Sequence, residues 1–548
     1  MKNSSFVSAK STLSGLRIAF RSVFGVMLIC LGHAAAQGAE NPAAKVQLPP
    51  TELAKVIDAN IAAKCKEFEV DISGRCTDAE FIRRAHLDIL GVIPTAEKVA
   101  QFLDSKDSNK RAKLIDELLE DPRYGKHFGE IWTNAMLPKL SNNRRLQDEP
   151  MKKYMAQKLN NNTPWDKVVH EIVTASGPIN KNTAITFFVA NPTPDKMIDK
   201  VSQLFMGVQL QCAQCHDHPF TDTKQDDYWA MAAFFMKVNV NGNPNQAAKK
   251  GKVLTVSERV TSRRRRKLPV SAKTVPAQFL AGTKANLKNK KAYRPVLADW
   301  ITSKNNPYFA RAISNKLWYH FIGRGIVNPV DDMHADNPAS HPKLLNALAE
   351  QAKANDFDLK YMIRAICLSE TYQRSSRPTG NNAKENDLFC RSLVRQLTPE
   401  QLYDSLEQVI VTDDRKNARK KALQRQRKNK NYRRGNVLRD RFVAFFQSDS
   451  GFDPTKYQAG IPQVLSLMNA RQFNPMYTAM KAMKAADTPE GVVEHLFLST
   501  LSRRPTEAEK TRMTQFLNKH GSNAQALRTA YTDIAWALIQ SSEFATNH

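Results

Sequence analysis

The chain has 548 residues, 42% of them apolar, and a formal charge of +28. That length buries a large core and divides into two to four domains. Its seven cysteines are too sparse for a disulfide-built scaffold, so burial must hold the fold together.

The N-terminus comes first because it sets the compartment. Lys2, Lys10, Arg17 and Arg21 precede a short apolar run at 23–31, and Ala34, Ala35 and Ala36 follow it. This is the pattern of a secretory signal peptide over 1–36. The run is shorter than the roughly 20 residues a membrane span needs, and no later segment is longer. The expectation is an exported chain of the periplasm or cell envelope, with no transmembrane segment once the leader is removed. Residues 37–50 read as a linker.

Helical patterns then follow in quick succession, and the fold class is mainly α: a multi-helical two-domain protein with a small antiparallel β insertion between the halves. In the stretch 107–125, Ser108 is a candidate N-cap, Leu114, Ile115, Leu118 and Leu119 form a helical stripe, and Pro122 and Gly125 are read as its stop. Thr163 and Pro164 open a helix with Val168, Val169, Ile172 and Val173 as its buried stripe. Thr398 with Gln401, and Thr506 with Glu509, have the spacing of capping boxes. The first helical domain covers 51–237, the insertion 238–283 and the second helical domain 284–548. Three strands are expected in and beside the insertion, at 235–244, 252–260 and 273–282.

Most of the positive charge lies in two runs. SRRRRK at 262–267 holds five basic residues, and 415–441 holds thirteen against Asp440 alone. Such runs are solvated loops or docking surfaces for an acidic polysaccharide or anionic surface. Nucleic acid is not an expected partner of an exported chain, and the runs lack the interleaved aromatics of a single-strand binder.

The chemistry is concentrated in QLQCAQCHDHPF at 209–220. Cys212, Cys215 and His216 form C-x-x-C-H, the pattern of covalent haem c attachment, with two thiols for the two vinyl groups and an imidazole for the iron. The preceding run puts Met197, Val201, Leu204, Phe205 and Val208 on one face, either a wall for the macrocycle or ordinary helix packing. A carrier of electrons also needs a second axial ligand, for which Met231, Met236, His170 and His86 are the nearest candidates. Two rivals use the same residues: Cys212, Cys215, His216 and His218 as a zinc or iron site, or Cys212 and Cys215 as a disulfide.

Elsewhere, Cys65 and Cys76 are close enough to close a loop, Cys367 reads as a buried thiol, and Cys390 lacks a partner unless it meets Cys367. A second polar cluster, Asp331, Asp332, His334, Asp336 and His341, either ligates a divalent cation and works as acid and base, or caps turns around Ser340.

The stretches FIRRAHLDILGVIPT, LIDELLEDPRYGKHFGEIW, FMGVQLQCAQCHDHPF and DDYWAMAAFF resemble the planctomycete cytochrome-C-like domain of unknown function. The stretch at 294–345, with TYQRSS, LSRRPTEAE and IAWALIQSSEF, resembles the planctomycete-specific partner domain that follows it. The resemblance spans nearly all of the chain after the leader. The label of the first family rests on the same C-x-x-C-H, so the resemblance implies haem binding, with a possible redox partner, only through that motif, and the partner domain has no established activity. FFQSDSGFDPTKYQAG stands where the partner domain is expected to carry cysteine.

Overall fold

The computed structural model describes residues 46–137, 148–219, 221–242, 253–258, 271–280, 282, 284–287, 292–410, 437–446, 473–520 and 523–548. The expected leader, most of the expected linker, SRRRRK and all of the 415–441 run before Val437 lie outside them.

The described residues are mainly helical. The first half contains α1 (Pro50–Glu67), α2 (Asp78–Leu90), α3 (Ala96–Asp104), α4 (Lys110–Glu120), α5 (Pro122–Met136), α6 (Glu149–Asn160), α7 (Trp165–Thr174), α8 (Thr186–Ala190), α9 (Pro194–Val201) and α10 (Gln225–Ala232). The second contains α11 (Arg294–Thr302), α12 (Phe309–Ile322), α13 (Pro342–Ala354), α14 (Leu359–Leu368), α15 (Pro399–Ile410), α16 (Val437–Phe446), α17 (Met476–Ala485), α18 (Pro489–Leu501), α19 (Glu507–His520) and α20 (Ala524–Ile539).

Local sequence explains most boundaries. At α15 the Thr398 N–H donates to Gln401 Oε1 at 3.0 Å and the Gln401 N–H donates to Thr398 Oγ1 at 3.2 Å, so two orphan donors are satisfied reciprocally. Thr506 and Glu509 repeat the arrangement ahead of α19, at 2.7 and 3.3 Å. Three expectations need correction. Pro164, not Thr163, stands at the cap of α7, which starts at Trp165 without a side-chain capping bond. Asn109, not Ser108, stands at the cap of α4, and its side chain makes no capping bond. Pro122 does not merely stop α4: it opens α5, where its missing N–H costs nothing, and Asp121 caps the new helix by accepting from the Arg123 N–H at 2.8 Å. Gly125 sits inside α5, and its absent side chain lets α6 approach, since a Cβ there would come within 2.4 Å of the Ala156 carbonyl oxygen.

The insertion contains β2 (Val238–Asn241) and β3 (Thr255–Glu258), paired antiparallel with Val240 opposite Val256. The third strand of this sheet is β1 (Gly177–Pro178), from the first half, which pairs with the other edge of β3. The expected strand at 273–282 is not formed. Pro276 cannot donate to a ladder, and the segment instead stacks Phe279 between Phe234 and Trp300, at centroid distances of 5.3 and 4.7 Å. A second small sheet pairs β4 (Arg395–Gln396) with β5 (Thr546–Asn547).

Residues 46–548 form one compact unit. The larger core joins α1 to α14 across both sequence halves, and a smaller core gathers the C-terminal helices together with Leu87 and Ile93 from the first half. Helix α2 joins the two. Its Arg83 is fully buried and donates to the carbonyls of Thr500, Glu543 and Phe544 at 2.8–3.1 Å. Arg84 reaches the carbonyl of His548 at 3.2 Å. Asp88, 1% exposed, accepts from Arg395 at 2.9 and 3.0 Å, from the Tyr372 hydroxyl at 3.0 Å and from Asn547 at 2.7 Å.

The disulfide pairing differs from expectation. Cys65 of α1 bonds Cys390, 325 residues away, rather than Cys76. Cys390 thus has a partner that is not Cys367. Cys76 and Cys367 are buried free thiols, and burial raises the pKa of both.

Candidate functional site

The motif is reached through α9, whose Met197, Ile198 and Val201 are buried. The helix widens into a π-type turn over Ser202–Met206 and ends at Gly207, whose φ of 69° is the left-handed conformation that glycine adopts without steric cost. Leu204 and Phe205 are also buried, so this stripe is ordinary core packing.

A 3-10 turn, Gln211–Gln214, follows. Residues three apart eclipse one another in such a turn. Leu210 and Ala213 are therefore buried on one side, at 1% and 0% exposure, while Cys212 and Cys215 emerge exposed on another. Both are free thiols. Exposure is unusual for cysteine, a residue type that behaves as a small buried hydrophobe. The Cys215 thiol reaches the Ser271 hydroxyl, at 3.7 Å.

Helix α10 holds this turn from below. Trp229 Nε1 and Gln225 Nε2 donate to the Gln214 carbonyl at 3.1 and 3.2 Å, and the Gln225 N–H donates to Asp217 Oδ1 at 2.9 Å. Tyr228 anchors the helix by donating to Asp199 Oδ1 at 3.1 Å. Burial raises the Asp199 carboxyl to about 6, against the opposing pull of that hydroxyl.

His216 is exposed, and its Nδ1 lies 2.6 Å from the Asp217 carbonyl oxygen. A carbonyl only accepts, so the proton belongs on Nδ1 and the Nε2 lone pair is left available to a metal. Two outward thiols three residues apart, followed at once by an imidazole in the metal-binding tautomer, form a donor set that fits covalent haem. The rival set is not assembled. Among the described residues no group of three or more His, Cys, Asp or Glu side chains gathers around a common point, including Cys212, Cys215, His216 and His218. Nor are Cys212 and Cys215 joined to each other.

The proposed second ligands are buried or paired, and neither ring nitrogen of His86 has a hydrogen-bond partner among the described residues. Met231 is fully buried in α10 and Met236 packs against the core. His170 pairs with Asp299 at 3.0 Å. His86 is buried in α2, where loss of hydration drives its pKa to about 3.

The structure brings together two motifs that sequence reading treats as separate. The Met333 N–H donates to the Gly207 carbonyl at 2.9 Å, and the His334 ring lies 6.4 Å from that of His218. The loop at 330–337, from the second half, thus lies along the motif of the first. Two of its acidic residues have side-chain partners. Asp331 pairs with Lys316 of α12, Asp332 lies 3.6 Å from His334 Nε2, and the Asp332 carbonyl accepts from Asn337 at 2.8 Å. His334 Nδ1 accepts the Asp336 N–H at 3.2 Å. His341 packs on Phe389 with ring centroids 5.2 Å apart and bonds Ser340 at 3.0 Å. These contacts describe a self-capped loop. No local signal in either segment announces the encounter, because more than a hundred residues separate them.

In the described part of the basic segment, Arg439 has a structural role. Arg439 makes paired bonds of 2.7–3.0 Å to Glu130 and Asp404, joining α16 to α5 and α15. Among the described residues, no helix is long and apolar enough to cross a membrane.

Residues 56–240 match the model of PSCyt2, a protein family of unknown function (DUF1549), and residues 293–517 match that of PSD1, likewise of unknown function (DUF1553). No curated protein and no solved structure matches the chain. The thiol motif lies inside the PSCyt2 match and the loop that meets it inside the PSD1 match.

Proposed function

We propose that this is an exported, c-type-cytochrome-like protein that binds haem through Cys212, Cys215 and His216 and passes single electrons at the cell envelope. The observation that supports this most is the turn itself: two exposed free thiols on one side, beside an imidazole whose Nδ1 is committed to a carbonyl. The leader pattern and the Cys65–Cys390 disulfide support an oxidising compartment.

In this reading Cys212 and Cys215 would hold the haem through thioether bonds and His216 Nε2 would ligate its iron. Haem contributes reversible one-electron chemistry when bound. Gln225 and Trp229 fix the Gln214 carbonyl and so keep both thiols pointing outward. The Asp217 carbonyl orients the imidazole.

The test is expression in a host that exports proteins and matures c-type cytochromes, followed by an absorption spectrum of the purified chain. An intense Soret band that survives denaturation and acid–organic extraction is expected, because thioether bonds persist. A colourless protein, or haem that extracts completely, would reject the reading.

A further inference from the structure

We propose that Cys212 and Cys215, before any haem is attached, hold one copper(I) ion between their two sulfurs. This inference concerns the haem-free chain and does not depend on the haem reading above.

The donors are two free, exposed thiols. Cys212 lies within the 3-10 turn Gln211–Gln214 and Cys215 closes it. Residues three apart in such a turn stand one above the other, so both sulfurs leave the surface on the same side. The backbone beneath them is held in place. Ala213, between the two, is fully buried and its N–H donates to the Leu210 carbonyl at 2.9 Å, while Trp229 Nε1 donates to the Gln214 carbonyl at 3.1 Å. The pair is therefore presented without the ordering that a loose loop would first have to undergo. Ser271 lies 3.7 Å from the Cys215 sulfur, and its hydroxyl can turn to donate to a thiolate, which favours the anion that a soft metal requires.

The choice of ion follows from how many donors the turn offers. Structural zinc takes four protein ligands, and calcium takes a larger shell of oxygens. Among the described residues no group of three or more His, Cys, Asp or Glu side chains gathers around a common point, at this turn or elsewhere. Copper(I) has a smaller requirement. It is a soft, closed-shell ion that two thiolates in line satisfy, and thiolate is the donor that selects it. His216 follows Cys215 directly, and its Nδ1 is turned to the Asp217 carbonyl at 2.6 Å. Adjacent side chains diverge, so the site consists of the two sulfurs.

Loading is an exchange without redox change. Each thiol gives its proton to solvent, two sulfur–copper bonds form, and the metal remains copper(I). Haem attachment and copper loading exclude each other, because a thioether sulfur no longer has a thiolate to offer.

The test uses the full chain made without haem-attachment enzymes, with its exposed thiols confirmed free by alkylation. It is titrated with copper(I) under argon against a chromophoric copper(I) chelator. Uptake of one equivalent is expected, with a thiolate-to-copper absorption shoulder in the ultraviolet and protection of Cys212 and Cys215 from alkylation. Cys212→Ser and Cys215→Ser should each abolish the uptake, and both positions are exposed, so neither change disturbs the core. His216→Ala should keep the one equivalent, and zinc(II) at the same concentration should not displace the copper.

No uptake against the chelator, uptake that survives both serine variants, loss of uptake in His216→Ala, or displacement by zinc(II) each overturns the inference. The Soret band tests the haem reading separately. A chain that takes copper and never haem keeps this inference and loses that reading, and a chain that acquires haem but takes no copper when haem-free does the reverse.

Discussion

Two polar regions of this molecule are built to opposite rules. Along α2, Arg83, Arg84 and Asp88 are buried and bonded to the C-terminal segment, Arg395 and Tyr372. At the turn of Cys212, Cys215 and His216, the reactive groups are exposed and few partners engage them. A charge taken out of water must be paired and hydrogen-bonded, so the α2 network is committed to holding the two sequence halves together. An exposed thiol carries no such obligation. The comparison separates residues that hold the fold from residues left for chemistry, and it assigns the RRAHLD stretch to the first group and C-x-x-C-H to the second.

The comparison is broken most severely at Asp88. Asp88→Ala leaves Arg395 buried without its carboxylate, and should cost about 3–5 kcal/mol in urea unfolding. A loss below about 1 kcal/mol would mean that the network is ornamental. Removing the Cys65–Cys390 link by paired Ala substitutions should cost about 2–5 kcal/mol, read by the same measurement without reductant. Non-reducing peptide mapping should recover these two cysteines in one fragment pair, and a Cys65–Cys76 pair instead would contradict the fold.

Acid should weaken the buried groups in sequence. His86 is held neutral, its pKa lowered by burial from 6.5 to about 3. As pH falls below 6.5, the unfolded chain binds a proton that the folded chain refuses, so stability present above 6.5 declines. Burial opposes the charge on Glu130, but the bonds from Arg439 and the charge of Lys152 prevail and lower its pKa from 4.5 to about 2. Its contribution is present above 4.5 and is lost as pH falls toward 2. Thermal midpoints should therefore drop in two stages, and His86→Leu should make the upper one shallower, the slope that remains coming from groups such as His127 and His341, which burial likewise lowers to about 3 and about 4. An unchanged slope between pH 6.5 and 4.5 in that variant would contradict the assignment.

Smaller effects sharpen the comparison. Thr398→Ala removes one half of a capping box and should cost about 1 kcal/mol. Replacing both Cys212 and Cys215 by Ser should change stability by no more than about 0.5 kcal/mol, because both side chains are exposed. The same variant should lose all covalent haem. A large stability loss there would place the thiols with the structural group.

What the sequence revealed was local. Capping boxes at Thr398 and Thr506 and the helical stripes of α4 and α7 depend on residues within a few positions of one another, and all four are present in the fold. The misses are non-local or too short to show a period. β1 has two residues, and nothing in Gly177 or Pro178 alone predicts pairing with Val256 and Thr255. Cys65 was matched to the near Cys76 because spacing favours short loops, whereas the fold brings it to Cys390. Arg83, Arg84 and Asp88 look like the polar side of a helix, yet most of α2 is buried, its arginines face carbonyls and Asp88 faces the donors of Arg395, Tyr372 and Asn547 rather than water. The thiol motif was legible from its spacing. The contact of Met333 with Gly207 was not, because only the folded chain places the second half's loop there.

The most direct measurement is the intact mass of the proteolytic fragment covering residues 209–220, taken from protein made alongside haem-attachment enzymes. The account predicts the fragment mass plus one whole haem, with neither Cys212 nor Cys215 open to alkylation. A fragment at its bare mass that takes up two alkyl groups, or one that does so only after reduction, would contradict it.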